Sequence, residues 1–387
     1  MIDTQRSSTT GCRTEERSLR RSTSRTTTNL LPCREKPTPP YPNQFSALSA
    51  SIRVPLYDAK NRRADFHTRH VLDWDYNHHM TPLKSTHSRP YYHPDDYQRV
   101  SDFLLTHYQP GNLDGNWLEP AWEYMHFHCL MDNSFLGKNR IWEHVGEIVA
   151  ICHYEWKLGE AFFQFHPNHR HLRHEMLDYA EANLTGTSSK DGVKYLCVFV
   201  NDNDPEFLEF VQTRDYKKDP QGIRPLYRFG IPDPFPTITL PGGFRLTSLA
   251  EECDWAKVHR ALWRGFDHAG EPPMTDQDLD DRRRMFDTPN GQRDLKIAVA
   301  APNGEFVAFC GMFYQPTHQY AYVEPVATDP DYRRLGLGKA AVLEGIRRCA
   351  ALGATVAFVG SDQPFYTSMG FKKVYNSQCW IKRWQAA

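Results

Sequence analysis

Between Tyr320 and Leu352 an apolar strand pattern passes through a turn into a helical pattern, and Gly336 and Gly338 stand where that helix opens. The strand ends at Thr328, and Asp329 and Pro330 supply the turn. Glycine leaves backbone N–H groups unshielded, and a helix N-terminus carries partial positive charge, so this unit can seat a pyrophosphate. Arg333, Arg334 and Lys339 add cationic donors beside it. A strand–loop–helix of this kind requires a helix packed back on a sheet, which makes the chain α/β (α+β).

The elements around it fit. Phe244–Leu249 reads as a strand, Asp254–Phe266 and Asp276–Phe286 as helices, and Leu295–Ala300 with Phe306–Tyr314 as a hairpin across Pro302-Asn303-Gly304. After Gly336–Leu352 come a strand at Thr355–Val359, a short helix at Pro364–Ser368 and a closing arm, Phe371–Trp384. Upstream the order is similar. Helical patterns run from His93 to Tyr108 and from Leu118 to Met131, followed by strands at Ile141–His144, Glu147–Trp156 and Glu160–Phe165. A helix at His171–Leu184, a strand at Lys194–Val200, a helix at Pro205–Gln212 and an extended piece at Pro225–Phe229 complete the first half. Pro232, Pro234, Pro236 and Pro241-Gly242-Gly243 mark the boundary between the halves.

The 387 residues suit two domains at ~150 residues each. The surplus is an extension. Residues 4–28 are mostly Ser, Thr and Arg, prolines cluster from Pro32 to Pro42, and such composition buries too little surface to offset chain entropy. We therefore expect residues 1–79 to be disordered, or to precede a true start at Met80. Lys+Arg 46 against Asp+Glu 47 gives a net charge of −1, which argues against a nucleic-acid or anionic-membrane partner. No apolar run reaches the ~18 residues of a membrane span. The nine cysteines are scattered and never in CxxC spacing, so a disulfide framework is not expected, and a reducing cytoplasm is the simplest home.

Three stretches carry a resemblance: Val326-Ala-Thr-x-Pro330, Arg333-x-x-Gly336-x-Gly338, and Pro364-Phe365-Tyr366-x-x-x-Gly370-Phe371. In this order and spacing, residues 244–387 resemble the GNAT superfamily of N-acetyltransferases. The resemblance implies acetyl-CoA as co-substrate, with its pyrophosphate on Arg333, Arg334, Leu335, Gly336, Leu337, Gly338 and Lys339, and its pantetheine along Val326, Ala327 and Thr328. Where the family often has an Asn on CoA, this chain has Ser361, Asp362 or Gln363. A neutral amine attacks the thioester, a backbone N–H steadies the oxyanion and an acid protonates the leaving thiolate. Tyr366 occupies the family's acid position; its alternative is a core tyrosine. Glu324 is the candidate base, and its alternative is a strand carboxylate facing solvent. The expected function is acyl transfer from acetyl-CoA to a primary amine, the alternative a non-catalytic acyl-CoA-binding sensor or scaffold.

Aligning the halves at an offset of 163 places Pro167, Arg170 and Leu172 on Pro330, Arg333 and Leu335. The glycines are lost: Arg173 stands at Gly336 and Glu175 at Gly338, and a carboxylate there repels a pyrophosphate. Downstream, at an offset of 155, Val211 stands at Tyr366. We expect tandem GNAT-like domains, each a mixed twisted sheet flanked by helices: residues 80–240 without CoA binding, and 241–387 with it. His166, His169, His171 and His174 lack the carboxylate or Cys pattern of a metal site, and no metal is expected. Trp117, Trp122, Tyr124 and Phe127 read as core, with an acceptor pocket between the halves as the alternative.

Overall fold

The computed structural model describes residues 86–384, so the expectations for residues 1–79 and for Met80 lie outside the described residues. In chain order the elements of the first half are β1 His87–Pro90, α1 Asp95–Thr106, α2 Glu119–Phe127, β2 Arg140–His144, β3 Glu147–His153, β4 Glu160–Phe165, α3 Arg173–Asn183, β5 Gly186–Thr187, β6 Lys194–Asn201, α4 Pro205–Thr213 and β7 Lys217–Gly230. The second half has β8 Arg245–Ser248, α5 Trp255–Gly265, α6 Asp276–Arg284, β9 Lys296–Ala300, β10 Phe306–Gln315, β11 Tyr320–Thr328, α7 Leu337–Ala351, β12 Val356–Val359, α8 Pro364–Thr367 and β13 Lys372–Trp384. Among the described residues no helix is long and apolar enough to cross a membrane.

Local chemistry explains the helix starts. Asp254 accepts from the Lys257 amide at 3.0 Å, and Thr275 with Asp278 closes a capping box on α6. Strand faces follow the two-residue period. Ile297 and Val299 pack under α7, whereas Ala298 and Ala300 belong to the core that includes Val258 and Leu262 of α5. β10 is apolar along nearly its whole length because it is covered on both faces.

The strands form one mixed sheet in the order β1-β2-β3-β4-β6-β13-β7-β12-β11-β10-β9-β8, with β5 beside β6. Two separate sheets do not form. β7, from the first half, pairs antiparallel with β12 of the second; β13, from the second, pairs antiparallel with β6 of the first. β7 and β13 also pair with each other. The halves have thus exchanged their last strands. That exchange makes β7 longer than its apolar stretch at Pro225–Phe229, because Lys217 and Lys218 pair with Ile381 and Trp380.

Each half contains one parallel pair that soon diverges. β4 meets β6 only at Glu160 and Ala161, and β11 meets β12 only from Tyr320 to Tyr322. Among the described residues, the β12 side of β11 has no strand partner beyond Tyr322. Its other side stays paired with β10 as far as Thr328, through a register shift that sets Glu324 and Pro325 opposite Gly311. This bulge bends the strand where the two faces of the site meet.

The cysteine expectation needs correction. Cys197 of β6 and Cys379 of β13 form a disulfide between residues 182 apart in sequence. The strand exchange brings their Cα atoms to 5.9 Å, a juxtaposition that spacing along the chain does not encode. Cys152, Cys310 and Cys349 are buried free thiols.

Candidate active site

The divergence of β11 from β12 opens a cavity of about 670 Å³ between the end of β11, the N-terminus of α7 and α8. Val326, Ala327 and Thr328 form one wall, and Arg334, Gly336, Leu337, Gly338 and Lys339 form the rim. Each glycine is there for its own reason. Gly336 caps α7 at φ 81°, where a side chain is strained, and a Cβ on Gly338 would lie 2.6 Å from Thr328 Oγ1. Leu335 is outside this cavity. It is exposed and borders a groove with residues 237–241.

The basic residues divide into two roles. Arg333 donates to the Thr328 carbonyl at 3.1 Å, to the Gly265 carbonyl at 3.0 Å and to Asp267 at 2.8 Å, so its guanidinium braces the loop against the end of α5. Among the described residues, Arg334 and Lys339 form no side-chain hydrogen bond or ion pair, which leaves their charges at the rim. The turn below them is pinned as well. Arg264 bridges Asp329 and Asp331. Burial pushes the Asp329 carboxyl up, but the Arg264 bridge and the Asp331 amide outweigh it and hold the group below its ordinary value.

Tyr366 closes the inner end of this cavity. Its ring packs edge-on against Phe365 and Phe371, and its Oη makes no hydrogen bond among the described residues. Burial, with smaller contributions from Cys310 and Glu324, raises the phenol far above its ordinary value, so it stays protonated. The two readings of Tyr366 therefore coexist: the ring is core, and the residue borders the cavity.

Glu324 lies elsewhere. It borders a second cavity of about 260 Å³, with Tyr322 donating to its Oε2 at 3.1 Å. Only Pro325 separates it from Val326, so the bulge of β11 is the shared wall of the two cavities. Burial raises the Glu324 carboxyl above its ordinary value, countered by the Tyr322 hydrogen bond and the charge of Arg224. Glu155, also on this cavity, is pushed up to about 7, first by burial, against the pull of Arg224.

Residues 255–371 match the family model described as the acetyltransferase (GNAT) family. This segment is a GNAT-family domain. Among solved structures, a GCN5-related N-acetyltransferase from Sphaerobacter thermophilus is similar over 77% of this chain and 95% of its own, at 14% identity and a TM-score of 0.53. A tandem GNAT protein from the clavulanic acid biosynthesis pathway is similar over 78% of this chain and all of its own (100%), at 11% identity and a TM-score of 0.53. At such identities the likeness is one of fold, and it extends over both halves. No curated protein sequence matches the chain significantly.

In the first half, the place corresponding to the Gly336–Gly338 turn is filled. Arg173, at the position of Gly336, is 2% exposed and forms ion pairs with Asp204 and Glu206 of the α4 start. Its guanidinium also lies over Phe165 and Phe207. Glu175 accepts from Trp142 Nε1 at 2.8 Å. Of the aromatic cluster on and before α2, Trp122 and Tyr124 are buried in cores, Phe127 packs against one, and Trp117 lines the smaller cavity. His126 is buried beside Tyr91, and His174 stacks on Phe210. Among the described residues no group of three or more His, Cys, Asp or Glu has the arrangement to hold a metal ion.

Several lining residues have no sequence signal. Phe266 and Asp267 follow the last turn of α5, and only folding brings them to the larger cavity, whereas Gln363, just before α8, is one of the three positions named from the sequence. Arg224 and Glu155 reach the smaller cavity from strand and loop positions on the first half.

Proposed function

We propose that the chain transfers an acetyl group from acetyl-CoA to a primary amine. The observation that carries this reading is the alignment along β11. Its edge from Val326 to Thr328, left without a strand partner, faces the cavity that also holds the α7 N-terminus and Tyr366. Pyrophosphate on the amides of Gly336–Lys339 and the charges of Arg334 and Lys339 would set the pantetheine along that edge, as an added strand would lie. The thioester then reaches the bulge at Glu324 and Pro325.

Glu324 takes a proton from the acceptor ammonium, directly or through water, and the free amine forms the N–C bond to the acetyl carbonyl. A backbone N–H at the bulge steadies the oxyanion. The C–S bond breaks, the thiolate takes the Tyr366 proton, and the proton shed by the acylated nitrogen restores Tyr366. One proton leaves Glu324 to solvent. The products are the N-acetyl amine and CoA thiol.

The test is acetyl-CoA binding by calorimetry, followed by free-thiol release with a panel of primary amines. Amine-dependent release supports the enzyme. Tight acetyl-CoA binding with no release across the panel would overturn it in favour of the sensor.

A further inference from the structure

The smaller cavity is built from both halves, and its charges are unequal. Glu155 comes from the first half and Glu324 from β11, while the cation between them is Arg224 of β7. Arg224 is held among first-half groups. It pairs with Glu155, lies 3.5 Å from Glu160 and sits 4.8 Å from the centroids of both Phe162 and Phe199. Of the charged side chains lining the cavity, two are carboxyl groups, Glu155 and Glu324, and one is the Arg224 guanidinium.

The walls are aromatic. Trp117 and Trp156 stand on the first-half side and Tyr322 and Tyr375 on the second-half side. Aromatic faces attract cations, the more so where water is excluded. The volume, about 260 Å³, is below the ~300–1,000 Å³ of pockets for drug-sized ligands. Small size, negative charge and aromatic faces select a compact cation.

We infer that the acceptor is a small amine carrying a second, non-reacting cationic nitrogen. This rests on the N-acyltransferase reading above. The reacting nitrogen lies against Glu324 at the bulge, and the second is held by Glu155 with the Trp117 and Trp156 faces. The first half thereby supplies the specificity of a reaction whose acetyl donor is bound by the second.

The test compares a matched pair on the full chain, 1,4-diaminobutane and butylamine, by thiol release with acetyl-CoA and by calorimetry. The diamine should exceed butylamine in kcat/KM and in affinity by about tenfold or more, as one charge-assisted contact provides. Glu155→Gln should shrink that ratio, and Glu155→Asp, which keeps the charge, should retain most of it. Acetyl-CoA affinity, measured on each variant, reports that the fold is intact. Equal use of the two amines, preference for an amino acid, or a ratio unchanged in Glu155→Gln would overturn the assignment. If no amine releases thiol, the transfer reading fails, and the calorimetric preference for the diamine decides the pocket on its own.

Discussion

Tyr366 has a phenol that burial keeps protonated and an Oη without a hydrogen-bond partner among the described residues, the state required of an acid awaiting a thiolate. Tyr366→Phe keeps the ring against Phe365 and Phe371 and removes only that proton. Turnover should fall by ~10²–10⁴-fold while acetyl-CoA affinity stays the same, because the phosphate seat proposed on α7 does not involve the tyrosine. Unchanged turnover would leave Tyr366 a core residue alone. Glu324 gives a separate readout. Its carboxyl lies above its ordinary value, and only the ionised form accepts a proton. Accordingly kcat/KM should rise with pH along a limb displaced above the usual carboxylate range. Glu324→Gln should lower the plateau and abolish that limb; a limb that persists in the variant belongs to another group. Tyr366 and Glu324 could be singled out from motif position and strand position. Their distribution over two cavities could not, because Glu324 and Val326 lie two residues apart and the bulge opposite Gly311 is a tertiary feature.

At the level of elements, the two halves make the same strand–loop–helix unit and fill it differently. In the second half Gly336 and Gly338 leave the α7 N-terminus open; in the first, Arg173 occupies the corresponding space and is consumed by Asp204 and Glu206. Calorimetry on the full chain should therefore saturate at one acetyl-CoA per chain, and a second site of similar affinity would show that the Arg173 side chain yields. Arg173→Ala should not create such a site. It should destabilise the fold by an amount near the lower end of the ~3–5 kcal/mol seen on breaking a buried ion pair, because Glu206 remains at the surface. This contrast was legible beforehand because it rests on residue types at aligned positions. The elements themselves were legible for a related reason: periods of two and 3.6 residues are local, so β4, β11 and α7 stand close to where their apolar patterns predict. Arg333 is the counterexample. Its sequence position next to the glycines gives it a phosphate role, whereas in the structure it lines the cavity with its guanidinium also bonded to Thr328, five residues away, and to Gly265 and Asp267, at a helix end 66 to 68 residues away.

For the whole molecule, the decisive feature is the exchange of last strands. Nothing local in Lys217–Gly230 distinguishes a strand that closes its own half from one that crosses to the other, since both need the same alternation; the choice is made by pairing partners more than a hundred residues distant. Its consequences are large. Among the described residues β7 has only β12 and β13 as neighbours, and β13 has only β6 and β7, so each half lacks strand partners without the other. The cores interlock in the same way: Phe229 of the first half packs with Tyr366 and Phe371, while Trp380 and Trp384 of the second pack against the first-half core. Cys197–Cys379 adds a covalent tie across the exchanged pair, and Glu123 of α2 binds Thr288 and Asn290 of the second half. A chain divided at residue 240 would therefore leave β7 unpaired in one fragment and β13 unpaired in the other, each with apolar side chains exposed. The full chain should unfold in denaturant as one cooperative transition, with intrinsic fluorescence and circular dichroism coinciding. Residues 241–387 expressed alone should fail to bind acetyl-CoA even though they contain the whole of the proposed phosphate loop, because β12, and with it the opening against β11, is held in place by β7. Co-expression with residues 80–240 should restore binding. An isolated second half that bound acetyl-CoA with the affinity of the full chain would show that the exchange is an ornament of the sheet and not its support.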